Sequence, residues 1–194
     1  EWMEMRLEGA ANRWVDIDFD STNFNVSSVG VESAERGKAK VDEGLPQVNV
    51  AYFLERETGL PVYYDIYYGS IVDMEHCKTA IRKLKEIQKD VRASFVLDRG
   101  YFSEPNINFM DRNHYDFLIM VKGSKDLVNR IVLRERGTFE DEWDKAIPFY
   151  GVNGTTVRAC IFKKDEKERF VHIYYSDYRK ARERSKLETK IPQH

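Results

Sequence analysis

Apolar and acidic residues alternate through WVDIDFD, so that Val15, Ile17 and Phe19 fall on one side and Asp16, Asp18 and Asp20 on the other. That two-residue period predicts a β-strand with one buried face and three carboxylates sharing the opposite one. The runs PQVNVAYFLERET (46–58) and LPVYYDIYY (60–68) also read as strands, and the Thr58-Gly59 turn between them predicts an antiparallel hairpin. The first three strands then form a meander. Asp73 is placed to cap a helix in which Met74, Cys77, Ile81, Leu84 and Ile87 recur at helical spacing to about Asp90, opposite Lys78, Arg82, Lys83 and Lys85.

This helix crosses over to a strand in which Ala93, Phe95 and Leu97 alternate with Ser94, Val96 and Asp98. The crossover lets it run parallel to the first strand, and Arg99-Gly100 stops it with Asp98 at its carboxyl end. Ser103 as N-cap and Pro105 in the first turn predict a second helix carrying Ile107, Met110 and His114. YDFLIMV (115–121) is a continuous apolar run, the pattern of a strand covered on both faces.

The ends and connections are less regular. EWMEMRLEGAA (1–11) reads as a short helix leading into the first strand, and 23–44 as a long connection. Beyond Gly123 the pattern changes. Ser124 can cap a helix with Leu127, Val128 and Ile131 inward, and Thr138 a further helix reaching Trp143. Residues 155–163 and 169–176 predict a second hairpin around the polar turn KDEKE, followed by a charged helix. The chain thus divides into a core at 1–123 and an added region at 124–194.

Composition narrows the class. A chain of 194 residues, 42% hydrophobic, 13% aromatic and 33% charged, buries a real core and is not disordered. No apolar run approaches the ~18 residues of a membrane span, so no membrane partner is expected. Cys77 and Cys160 suggest neither a zinc site nor a disulfide framework, which fits a reducing compartment. The chain opens at Glu1 without an initiator Met or a signal-peptide pattern and reads as part of something longer. A net charge of −2 argues against a surface built wholly to grip duplex DNA, although residues 177–190 hold six basic side chains against three acidic ones.

The candidate chemistry lies in the acids. Ligands of open α/β sheets gather at the carboxyl ends of strands. Two carboxylates brought together there suit Mg²⁺, a hard cation that takes oxygen ligands and usually one or two from protein. Asp20 and Asp98 are the candidate pair, with Asp18 as second choice and Asp16 structural. His76, His114 and His172 show no metal-ligand spacing. Arg99 suits either a phosphate contact or a salt bridge that places its loop. The tyrosines at 63, 64, 67 and 68 suit sheet packing better than base stacking.

Three antiparallel strands, a helix, a parallel strand, a helix and another strand is the order of the ribonuclease H-like fold. Within it, DST (20–22), LPVYYDIYYGSIVD (60–73), VLDRGYFSEPNI (96–107) and YDFLIMVKG (115–123) follow one another in sequence. In these motifs the chain resembles the DDE transposases of bacterial insertion sequences, in the large group with a β-rich insertion in the catalytic core. The resemblance covers about residues 14–123, with Ser70 standing where the family pattern usually has Asn.

What the resemblance implies is an α/β, ribonuclease H-like mixed sheet with the start of a β-rich insertion. It further implies a transposase core carrying out metal-dependent phosphodiester hydrolysis and strand transfer, with Mg²⁺ or Mn²⁺ held by Asp20 and Asp98. The implied partners are transposon ends and target DNA, a homodimer of the full-length protein being left open, and the implied setting is the bacterial cytoplasm and nucleoid. The family's third acid, a Glu on a later helix with Tyr, Arg and Lys around it, has no match at that spacing. Glu183 and Glu188 lack the Tyr. The resemblance thus implies a fragment that binds Mg²⁺ weakly and cleaves little. Two alternatives are a nuclease of the same fold that cuts without joining and a non-enzymatic, transposase-derived DNA-binding domain.

Overall fold

The computed structural model describes residues 14–38, 42, 44–87, 92–121 and 125–189, which form two compact units divided at Lys122 and Gly123. In the first unit β1 (Trp14–Asn25), β2 (Gln47–Glu55) and β3 (Pro61–Tyr68) are followed by α1 (Asp73–Ile87), β4 (Arg92–Leu97), α2 (Glu104–Arg112) and β5 (Asp116–Ile119). They make one sheet of order β3-β2-β1-β4-β5. β1, β2 and β3 pair antiparallel, while β4 pairs parallel to both β1 and β5. This is the mixed ribonuclease H-like sheet that the sequence predicts.

The alternation in β1 has its expected consequence. Val15, Ile17 and Phe19 are buried, together with Phe53 of β2, Val62 of β3 and Phe95 and Leu97 of β4. Against this face pack Cys77, Ala80, Ile81 and Leu84 of α1 and Phe109 and Met110 of α2. Each large apolar side chain buried this way contributes roughly 1.5–3 kcal/mol. Phe19 stands at the centre, its ring 4.7 Å from Phe53 on one side and 4.7 Å from Tyr101 on the other. At the hairpin between β2 and β3, Gly59 takes φ +67°, a left-handed conformation that costs other residues more.

Two further contacts close the sheet's edge. The connection after β1 folds back so that Glu35 and Gln47 exchange backbone bonds of 3.0 and 2.9 Å. Gly69 sits at that crossing, where an added Cβ would lie 2.1 Å from the Gln47 carbonyl oxygen and 2.5 Å from that of Glu35. Only a residue without a side chain fits there.

Several details depart from expectation. α1 ends at Ile87 among the described residues and Ile87 itself is 45% exposed, while His76 and Ala80 take inward positions that the apolar count overlooked. Asp73 is the first residue of α1, and its carboxylate accepts from the Tyr67 hydroxyl. Ser103 caps α2 as predicted, accepting from the Asn106 N–H, but His114 lies beyond the helix end, exposed and at φ +55°. β5 is short, and its outward residue Leu118 is 54% exposed. Of the apolar run 115–121, only alternate residues therefore pack on the described core.

The second unit holds a helical segment, α3 (125–135), whose middle winds as a π turn, with Leu127 and Ile131 buried and Val128 exposed. Ser124 lies outside the described residues. Thr138 caps no further helix. Its hydroxyl donates to the Glu135 carbonyl and closes α3, and a single turn of 3₁₀ helix at Trp143–Lys145 begins only where the predicted helix would end. The predicted hairpin is present as β7 (Val152–Ala159) and β8 (Arg169–Tyr175), extended by the short β6 (Ala146–Ile147). α4 (Asp177–Glu188) is capped by Ser176 and is exposed along its length. The helix predicted at 1–11 lies outside the described residues.

Candidate active site

β1 and β4 run parallel with Ile17 beside Phe95, Asp18 beside Val96 and Phe19 beside Leu97. The register ends there; Asp20 and Asp98 are the next residue on each chain, and the extended backbone of Asp98 at φ −70°, ψ 161° continues the alternation of β4. By that alternation both side chains fall on the face away from α1 and α2, Asp20 within β1 and Asp98 just past the carboxyl end of β4. Both are exposed.

The other acids of that face are engaged differently. Arg56 donates to Asp18 Oδ1 through Nε at 3.1 Å and Nη2 at 2.8 Å. The Ser94 hydroxyl donates to Asp16. Asp20 Oδ1 instead accepts the backbone N–H of Ser21 at 2.7 Å, and among the described residues neither Asp20 nor Asp98 forms an ion pair. The donor set is thus two exposed carboxylates and nothing softer, which fits a hard divalent cation that takes one or two protein carboxylates and completes its shell with water or phosphate oxygens. Among the described residues no group of three or more His, Cys, Asp or Glu side chains could hold a metal.

On the covered side of the sheet, β1 beside Asp20 and the turn after Asp98 are tied by a buried hydroxyl pair. Tyr101 lies in the single turn of 3₁₀ helix, Arg99–Tyr101, that follows Asp98, and its N–H donates to the Asp98 carbonyl at 3.1 Å. Its hydroxyl donates to Ser21 Oγ at 2.6 Å. Tyr67 donates to Asp73 Oδ1 at 2.5 Å and also bonds Ser21. Burial pushes both phenols upward in pKa, and the nearby Asp73 carboxylate adds to it in each. Asn106, 3% exposed, donates to the carbonyls of Met74 at 3.0 Å and Tyr101 at 2.9 Å, fixing the turn against α1.

A second polar cluster was missed in the sequence. Asp65 of β3 is buried, with His76 Nε2 2.8 Å from one carboxylate oxygen and Lys83 Nζ 2.9 Å from both. The Tyr67 ring stacks on His76 at 3.7 Å. The signal was there, since Asp65 shares the parity of Tyr63 and Tyr67 and must point to the covered face. His76 and Lys83 line a groove of about 560 Å³ with Tyr67 and Glu75, apart from the Asp20–Asp98 pair. Of the four tyrosines, Tyr63 and Tyr67 are core, while Tyr64 and Tyr68 are exposed.

The family model described as transposase DDE domain matches residues 15–193. No curated protein matches the chain. Among solved structures, a Mos1 pre-cleavage transpososome is similar at a TM-score of 0.37 and 13% identity, over 65% of this chain and 42% of that one. A piggyBac transposase synaptic complex with hairpin DNA is similar at 0.45 and 10% identity, over 82% of this chain and 32% of that one. An Endonuclease V from Ciona intestinalis bound to inosine-containing DNA is similar at 0.33 and 13% identity, over 87% and 79%. The chain thus spans less than half the length of the two transposases.

Proposed function

The chain belongs to the transposase DDE domain family, and we propose that it is the catalytic core of a DNA transposase, with Asp20 and Asp98 as the carboxylates that hold its divalent cation. The observation that supports this reading is the parallel register of β1 and β4, which pairs Phe19 with Leu97, the residues immediately before the acids of the DST and VLDRGY motifs.

The substrate class is DNA at transposon ends and target sites, and the reaction is phosphodiester hydrolysis and strand transfer. When bound, Mg²⁺ or Mn²⁺ supplies Lewis-acid stabilisation of the attacking and leaving oxygens of an in-line displacement. The residues of the chain do the positioning. Asp20 is held through Oδ1 by the Ser21 N–H, and Asp98 sits where its strand opens into the turn, so both carboxylates face outward from the sheet. Their exposure on the sheet surface, and not in a closed cavity, suits a bulky polymer substrate.

The test is Mn²⁺ titration followed by electron paramagnetic resonance on the wild-type chain and on Asp20→Asn and Asp98→Asn. Each substitution is expected to weaken Mn²⁺ binding at least tenfold. Wild-type affinity in both variants would overturn the assignment.

A further inference from the structure

We propose that Tyr101 and Ser21 are positioning residues for the Asp20–Asp98 pair, joined by a hydroxyl chain on the covered side of the sheet that sets how the two carboxylates stand to each other. The inference rests on reading that pair as the cation-holding site.

Three bonds define the device. The Tyr101 N–H donates to the Asp98 carbonyl at 3.1 Å, the Tyr101 hydroxyl donates to Ser21 Oγ at 2.6 Å, and the Ser21 N–H donates to Asp20 Oδ1 at 2.7 Å. One path of hydrogen bonds therefore runs from the backbone of one acid to the carboxylate of the other. Both intermediaries are shut off from water, Tyr101 at 3% exposure and Ser21 at 4%. Beyond Ser21 the path continues to Tyr67, which donates to Asp73 Oδ1 at 2.5 Å.

The far end fixes the direction of every bond. An ionised carboxylate only accepts, so Tyr67 must donate to Asp73, Ser21 to Tyr67 and Tyr101 to Ser21. Each hydroxyl then donates once and accepts once, and bonds aligned in one sense polarise one another.

Packing does not require these hydroxyls. The Tyr101 ring already rests on Phe19 at 4.7 Å, and a Phe would fill that place without a polar atom to bury. What the hydroxyl adds is a fixed distance between β1 at Ser21 and the turn that follows Asp98. Two like-charged carboxylates repel when no cation lies between them, and a site held in geometry beforehand binds more tightly because less is lost on ordering it.

The experiment is Mn²⁺ titration of Tyr101→Phe, Ser21→Ala and Ser21→Thr beside wild type, Asp20→Asn and Asp98→Asn. It is run well below each variant's melting transition, with the fold checked by circular dichroism. Tyr101→Phe and Ser21→Ala are expected to weaken Mn²⁺ binding three- to tenfold, and Ser21→Thr, which keeps the hydroxyl, to restore it to within about twofold. A purely structural role would lower the melting temperature and leave the affinity of the folded protein unchanged. Wild-type affinity in Tyr101→Phe and Ser21→Ala, with binding lost in the two Asp variants, overturns the positioning role alone. Wild-type affinity in the Asp variants overturns the pair itself, and the positioning role with it.

Discussion

His76 Nε2 lies 2.8 Å from Asp65 Oδ2, and this pair ties the first turn of α1 to the edge strand β3. The carboxylate accepts, so the imidazole presents Nε2–H to it. Burial lowers the pKa of His76 below its ordinary value, against the opposing pull of Asp65. In the unfolded chain this group takes up its proton near pH 6.5. In the folded chain it does so only at lower pH. Between those values the unfolded state binds more protons, so stability rises with pH through that window and is lost as pH falls below about 6.5. Thermal melts from pH 5 to 8 are expected to show this decline in the wild type and a flatter acid limb in His76→Gln. Parallel profiles would show that His76 does not contribute to it.

Removing the other member of the pair has a larger effect at neutral pH. Asp65→Ala leaves a buried imidazole N–H unsatisfied, a cost of about 1–3 kcal/mol. Lys83, 45% exposed on its side chain, can turn to water instead. Lys83→Met leaves Asp65 its His76 partner and is therefore expected to cost less than Asp65→Ala. Urea denaturation of the two variants measures the contrast.

Two glycines are predicted to differ in kind. Gly59→Ala places a side chain in open space at φ +67° and should cost about 1–2 kcal/mol of backbone strain. Gly69→Ala drives a Cβ to 2.1 Å from the Gln47 carbonyl oxygen, a backbone atom that cannot rotate away. The crossing of the Glu35 segment over β2 must then open. Hydrogen exchange of the Glu35 and Gln47 amides is expected to quicken in Gly69→Ala and to remain as in wild type in Gly59→Ala.

Asp18 offers a test of which acids belong to the site. Its Oδ1 is engaged by Arg56 at 2.8 Å on the strand side away from Asp98's turn. Asp18→Asn is expected to change Mn²⁺ affinity less than threefold, in contrast to Asp20→Asn. A loss equal to that of Asp20→Asn would move Asp18 into the site.

Much of the core was legible because its strands alternate. The parity of Val15, Ile17 and Phe19 indicates which way Asp20 points, and the helix that crosses to β4 accounts for the parallel pairing of β4 with β1. Periodicity can put a polar residue such as Asp65 on the buried side, but it does not name the partner that residue meets there. The partners of Asp65, His76 and Ser21 are not legible in the sequence because they lie 11 to 80 residues away and only folding supplies them. The helix predicted after Thr138 failed for a local reason, since its hydroxyl closes the preceding turn. The run through β5 misled because apolar residues are also found on a face that the described residues leave exposed, such as Leu118 at 54%.

The register of β1 against β4 makes the site sensitive to length as well as to identity. Side chains on a strand switch sides at every step, so one extra residue within Arg92–Leu97, or one deleted, would swing Asp98 toward the aromatic interior while every ligand type stayed in place. Single-residue insertions and deletions in that strand should therefore be as harmful as loss of the carboxylate, and among length changes only those that keep the parity leave the acid facing outward.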